Sequence, residues 1–208
     1  MRAPVQRELY FPSHGGRREG AGRPTTGRAS HAARPAFARP APVHVTLRVG
    51  PEVWNLRSSR CYKALRRSLA ASRGRFGLRL IHFSVMGNHL HLIVEADGQR
   101  SLTRGMQGLN IRIAKALNRV MGRTGRVFAD HYHSRLLATP TELVNAIAYV
   151  LGNAAHHYGP TPATDPCSSA ASRSTEVLCE PRTWLLRSGW RRARRIPHWM
   201  MQETARPR

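Results

Sequence analysis

The chain has 208 residues, with 34 basic against 11 acidic side chains and a formal net charge of +23. That length allows one globular domain of about 100 to 150 residues with flanking segments, and an apolar fraction of 41% is enough for one core. No apolar run approaches the ~20 residues that cross a bilayer, MRAPVQRELYFP lacks a signal-peptide core, and Cys61, Cys167 and Cys179 form no C-x-x-C pair, so a cytosolic protein with reduced thiols is expected.

All the bases except Lys63 and Lys115 are arginine, whose planar fork suits phosphate oxygens. Nucleic acid is therefore the leading partner, although coding bias explains part of the excess of arginine over lysine. Residues 1–42 are rich in Gly, Pro, Ala and Arg, with eight arginines against Glu8 and Glu19. They show no apolar periodicity, which predicts a disordered basic arm in which Gly22-Arg23-Pro24 is a weak echo of a minor-groove hook.

Order begins at Val43. VHVTLRV alternates Val43, Val45, Leu47 and Val49 with His44, Thr46 and Arg48, the pattern of a half-buried strand. A helix follows in SSRCYKALRRSLAASRGRFG, with Cys61, Ala64, Leu65 and Leu69 on one face. Arg79 to Met86 and His89 to Glu95 are two more strands, joined by Gly87-Asn88, a dipeptide that tolerates the positive φ of a tight hairpin. A second helix is predicted over Ser101 to Met121, with Leu102, Met106, Leu109, Ile113, Leu117 and Val120 as its stripe, and RVFADHYHSRLLAT then reads as a strand or irregular ribbon. Thr139-Pro140-Thr141-Glu142 is a capping box with proline at the first helical position, opening a third helix through His157. The order of elements predicts an α+β domain over residues 43–158, an antiparallel sheet with helices packed on one face. Residues 159–208 read as a poorly ordered, basic, tryptophan-containing extension. Its tryptophans either stack bases or pack on the domain.

In MGNHLHLIVE, strand alternation sends His89, His91, Ile93 and Glu95 to one face and Leu90, Leu92 and Val94 to the other. With a two-residue turn, Met86 faces His89, Ser84 faces His91 and His82 faces Ile93. On spacing alone the two imidazoles are either polar decoration or two ligands in need of a third. On the third helix, Leu143, Ile147, Val150 and Ala154 form the apolar stripe. Glu142, Asn145, Tyr149, Asn153 and His156 line the adjoining edge, with Tyr149 and Asn153 one turn apart. Read alone, Tyr149 is an interfacial tyrosine whose hydroxyl reaches water.

His89-Leu90-His91 with apolar flanks, GRVFADHYHSRLLATPTE and AYVLGNAAHH, in that order, resemble the single-tyrosine HUH transposases, in particular the REP-associated tyrosine transposases, over about Val43 to His157. The resemblance implies a ferredoxin-like palm, a Mg²⁺ or Mn²⁺ ion held by His89 and His91, and Tyr149 as the nucleophile that forms a 5′-phosphotyrosine. At the position of the family's metal-binding polar residue stands Asn153, as a ligand or as the group that orients a metal-bound water. The substrate implied is single-stranded, hairpin-bearing DNA, cut and rejoined by a monomer or homodimer in the bacterial cytoplasm, at the nucleoid. Tyr132, in HYHSR, is the rival nucleophile, and His131, His133, His156 and His157 are substitute ligands or phosphate contacts. Arg79, Arg112, Arg126 and Arg135 are candidate DNA contacts. A domesticated protein that binds DNA or RNA without cutting it is the alternative, and a metal hydrolase of small molecules would leave the charge without a use.

Overall fold

The computed structural model describes residues 36–159, 164–171, 176–198 and 200. The arm expected over residues 1–42, Gly22-Arg23-Pro24 included, lies outside the described residues up to position 35, as does Trp199.

Strand β1 (Ala41–Arg48) buries Val43, Val45 and Leu47 as its alternation predicts. Helix α1 (Ser59–Ala70) buries Cys61, Ala64, Leu65 and Leu69, the face its spacing marks. Strands β2 (Leu78–Val85) and β3 (His89–Ala96) form the hairpin in the expected register, Ser84 opposite His91 and His82 opposite Ile93. Met86 N–H donates to the His89 carbonyl at 2.8 Å. The turn does not use the left-handed angles its Gly87-Asn88 sequence permits. It is held from outside instead: Val49 N–H donates to the Asn88 carbonyl and Leu56 N–H to the Gly87 carbonyl, both at 2.9 Å, and Gly87 N–H donates to the Tyr158 hydroxyl at 3.0 Å. A register shift between Leu80 and His82 brings Arg79 opposite Glu95, and the bulge lets Ile81 pack with Ile93.

Helix α2 (Gln99–Met121) buries Leu102, Met106, Leu109, Ile113 and Leu117. Gly105 lets it lie close on β2, since a Cβ there would come 2.5 Å from the Leu78 Cβ. Strand β4 (His133–Leu136) is a short edge strand. Helix α3 (Pro140–Tyr158) opens on the capping box: Thr139 Oγ1 accepts from Glu142 N–H, and Glu142 Oε2 accepts from Thr139 N–H, both at 3.2 Å.

The strand order is β2-β3-β1-β4 with every neighbour antiparallel, two split β-α-β crossovers that make the expected ferredoxin-like α+β sheet. Residues of α1 and α2, among them Leu65, Leu69, Met106 and Ile113, pack on Leu90, Leu92 and Val94 of the leucine face. Helix α3 takes the other face, setting Leu143, Val144, Ile147 and Val150 on Ile81 and Ile93. The sheet is thus covered on both sides. The apolar foothold of Ile81 and Ile93 is what draws the third helix onto the histidine-bearing face.

The described parts of the extension pack against this frame. Val85 N–H donates to the Cys167 carbonyl and Ser169 N–H to the Phe83 carbonyl, both at 2.9 Å, and Cys179 N–H to the Leu80 carbonyl at 2.8 Å. These bonds cover the β2 edge, which would otherwise present unpaired backbone groups. Helix α4 (Trp184–Arg187) and the turn after it place Leu186 and Trp190 in the core beneath α3. Trp190 therefore takes the packing option, while Trp184 stays 55% exposed. The three cysteines are free. Among the described residues no helix is long and apolar enough to cross a membrane.

Candidate active site

Three central elements meet at the two histidines of β3. On β1, Thr46 lies opposite His91, and Arg48 opposite His89. From above, α3 lowers Tyr149, whose ring stands edge-on to His91 with centroids 5.1 Å apart. The His89 and His91 rings are 4.8 Å apart.

Both imidazoles are held by one nitrogen. His89 Nδ1 meets Asn88 Oδ1 at 2.8 Å. His91 Nδ1 meets Thr46 Oγ1 at 3.1 Å and His44 Nε2 at 3.2 Å. The tautomer with the proton on Nδ1 donates to these partners and leaves the Nε2 lone pair for an electrophile, the usual arrangement of an oriented metal ligand. His91 is 5% exposed, and its Nε2 has no protein partner. Nearby polar atoms share that condition: Asn153, 1% exposed, has neither amide atom bonded, and Ser84 Oγ is likewise unpartnered. Buried polar groups are nearly always satisfied, so an unpaired imidazole nitrogen, amide and hydroxyl on this one face of the sheet suit a cation with its water. Among the described residues no three His, Cys, Asp or Glu side chains converge as a metal-binding group. A divalent ion here would take its third protein donor from the Asn153 amide.

The electrostatics keep these rings neutral. Burial, reinforced by His89, His44 and His157, pushes His91 down to about 3. Burial and then the Arg135 charge lower His44, while burial followed by His157 and Arg48 lowers His89. Neutral imidazole is the ligand form, so protons compete weakly with a metal at this site.

The other sequence candidates divide. His157 joins the cluster, its ring 5.8 Å from that of His89, and His133 lies opposite Thr46 on the edge strand. Tyr132 is 8% exposed within the core that α1 and α2 build on the other face. Arg79 is turned inward, committed to Glu95 and Asp97 at 2.6 Å each. That pair anchors the extension, because Glu95 also accepts from the backbone of Arg182 and Thr183. Arg112 sits on α2, on the far side of the sheet. Arg126 bonds the Phe128 and Ala129 carbonyls and so closes the loop before β4. Arg135 lies opposite His44, largely exposed, and pairs with Glu142 at 3.1 Å. His44, Thr46 and Arg48 share one strand face by alternation, a pattern that by itself assigns them no role. Only the pairing of β1 with β3 brings them to the histidines.

No protein-family model matches the chain, and no curated protein matches it. Among solved structures, a REP-associated tyrosine transposase bound to a REP hairpin superposes with a TM-score of 0.56 at 13% identity, over 74% of this chain and 94% of that one. The chain shares that transposase's fold. A Deinococcus radiodurans protein described as a candidate transposase matches at a TM-score of 0.40 and 15% identity, over 56% of this chain and 90% of that one.

Proposed function

We propose that the chain is a metal-dependent transposase that nicks and rejoins single-stranded, hairpin-bearing DNA through a 5′-phosphotyrosine at Tyr149. The observation that carries this reading is the Tyr149 ring standing 5.1 Å from His91, above a buried and unpartnered His91 Nε2 and Asn153 amide. His89 Nε2, His91 Nε2 and the Asn153 amide would hold Mg²⁺ or Mn²⁺. When bound, the ion supplies Lewis-acid neutralisation of the non-bridging phosphate oxygens.

Tyr149, half-exposed on α3, presents its Oη to a phosphate lying over the histidines. In-line attack forms the Tyr149 Oη–P bond and breaks the P–O3′ bond. The phenolic proton is released, and the departing 3′ oxygen takes up a proton as a 3′-hydroxyl. The energy of the ester is kept, so the 3′-hydroxyl of another strand can reverse the step and complete a transfer without a nucleotide cofactor. His44 and Thr46 hold the His91 ring, Asn88 holds that of His89, and Arg48 and Arg135 add positive charge at the edges of the site.

The test is covalent trapping: the protein with Mn²⁺ and hairpin oligonucleotides drawn from the DNA flanking its own gene. A gel-stable adduct is expected with the native chain and none with Tyr149→Phe; an adduct that persists in Tyr149→Phe refutes the nucleophile. The alternative is a protein that binds nucleic acid without cutting it, favoured by a donor set of only two imidazoles and an amide. It predicts binding unaffected by chelation and by the double change His89→Ala, His91→Ala.

A further inference from the structure

Five aromatic side chains stand about half-exposed among the described residues: Trp54, Phe76, Tyr149, Tyr158 and Trp184. All except Tyr149 carry an arginine over the ring. Two of these pairs lie together at the His89 end of the sheet. Arg60 sits 5.8 Å from the Trp54 ring centre, and Arg57 sits 4.9 Å from that of Tyr158.

The chain fixes both to the turn that leads into His89. Leu56 N–H donates to the Gly87 carbonyl, and Gly87 N–H donates to the Tyr158 hydroxyl at 3.0 Å. Arg57 is held by Asp165 at 2.7 Å and by the Val85 carbonyl at 2.8 Å, so the guanidinium over Tyr158 is rigid. The backbone N–H of Trp54 donates to the Met121 sulfur at 3.4 Å, and its side chain is left 47% exposed. Two acids of this region, Glu52 and Asp165, are already paired, with Arg123 and Arg57 respectively. Arg48, opposite His89, extends the positive charge towards the site.

We propose that Trp54 and Tyr158, each with its stacked arginine, form a platform that holds the bases of single-stranded DNA next to the His89 end of the active site. The inference rests on the DNA-cutting reading above and names the part of the substrate this surface takes. A flat, half-exposed ring backed by a guanidinium suits an unpaired base, which can splay onto it. A duplex keeps its bases stacked on one another and offers the ring only its backbone. Arg60 and Arg48 then meet the phosphates on either side.

Binding is measured without divalent ions, so that no cutting is involved, on two probes: a short oligothymidylate and a blunt-ended DNA hairpin. Trp54→Ala is expected to weaken the oligothymidylate roughly tenfold, the loss of one base stack, and to change hairpin affinity less than about twofold. Trp54→Phe should restore most of the loss. Arg60→Gln should lower the salt slope of oligothymidylate binding by about one, as one phosphate contact is removed. Unchanged oligothymidylate affinity in Trp54→Ala, or an equal loss on both probes, overturns the platform. Covalent trapping of the native chain is scored separately. If it yields no adduct while the two probes still separate, the cutting reading fails and the single-strand surface stands.

Discussion

Replacing Asn153 with leucine tests the site most directly, because it should strengthen the fold while removing the function. The amide is 1% exposed, and neither Oδ1 nor Nδ2 has a partner. An unsatisfied buried polar group costs about 1–3 kcal/mol of stability. Leucine has the same heavy-atom skeleton and nothing to satisfy, and α3 around it is already apolar through Val150 and Ala154. In EDTA, Asn153→Leu should therefore be more stable than the native chain by about 1–3 kcal/mol, which raises Tm by roughly 2–4 °C per kcal/mol for a domain of this size. With Mn²⁺ the order should reverse. The native chain gains about 4.1 kcal/mol at a metal concentration about 1,000 times Kd, and the variant, left with two imidazoles, gains far less. Thermal unfolding with EDTA and across a Mn²⁺ titration reads both effects, and covalent trapping reads the lost adduct. A variant less stable than the native chain in EDTA, or one with the native response to Mn²⁺, would show that Asn153 is an ordinary structural amide.

Other consequences are more local. Burial pushes His82 down to about 4, and His44, His89 and His91 are lowered too. Below pH 6.5 the unfolded chain takes protons that these rings refuse, so metal-free stability is full above pH 6.5 and falls as pH drops towards 4, by at most about 1.4 kcal/mol per pH unit for each group. Urea unfolding in EDTA at pH 7.5, 6 and 5 checks the sign; a flat profile would place these rings in water. Burial alone would raise Glu95, but hydrogen bonds from Arg79, Thr183 and Arg182 outweigh it and hold the carboxylate below its ordinary range. Glu95→Ala leaves buried Arg79 with Asp97 alone and takes the acceptor from the Arg182 and Thr183 N–H groups, so it should lose about 1–3 kcal/mol, with faster proteolysis after Glu180 as the extension detaches. Thr139→Ala removes the cap of α3 and should cost about 1 kcal/mol, read by chemical denaturation, with little change in Mn²⁺ affinity.

What the sequence disclosed was whatever local physics decides. The capping box at Thr139 and Glu142 was legible because its donors and acceptors lie within three residues of each other. The hairpin register was legible because a turn length and a period of two settle which residues face one another, as Ser84 faces His91. The bulge at Ile81 was hidden, since nothing in RLIHFSVM marks the extra residue, and it decides that Arg79 meets Glu95 and is drawn inward.

The same division runs through the site. His89 and His91 share a strand face by alternation, and Tyr149 and Asn153 share a helix edge by the 3.6-residue period, so each half could be drawn from the chain alone. Their meeting depends on α3 crossing the histidine face, and that rests on Ile81 and Ile93, one of them supplied by the bulge. The groups that hold the imidazoles depend on strand order in the same way: His44 and Thr46 reach His91 only because the sheet places β1 beside β3, about 45 residues away in sequence. A change at Ile81 therefore offers a test remote from the chemistry. Ile81→Asn replaces an apolar foothold of α3 with an amide and leaves every candidate ligand in place. If α3 is seated by that foothold, the variant should lose adduct formation together with hydrogen-exchange protection along α3, while the amides of β1 and β3 stay protected. Loss of protection throughout the sheet would mean instead that the two faces fold as one unit and that α3 has no separate seat.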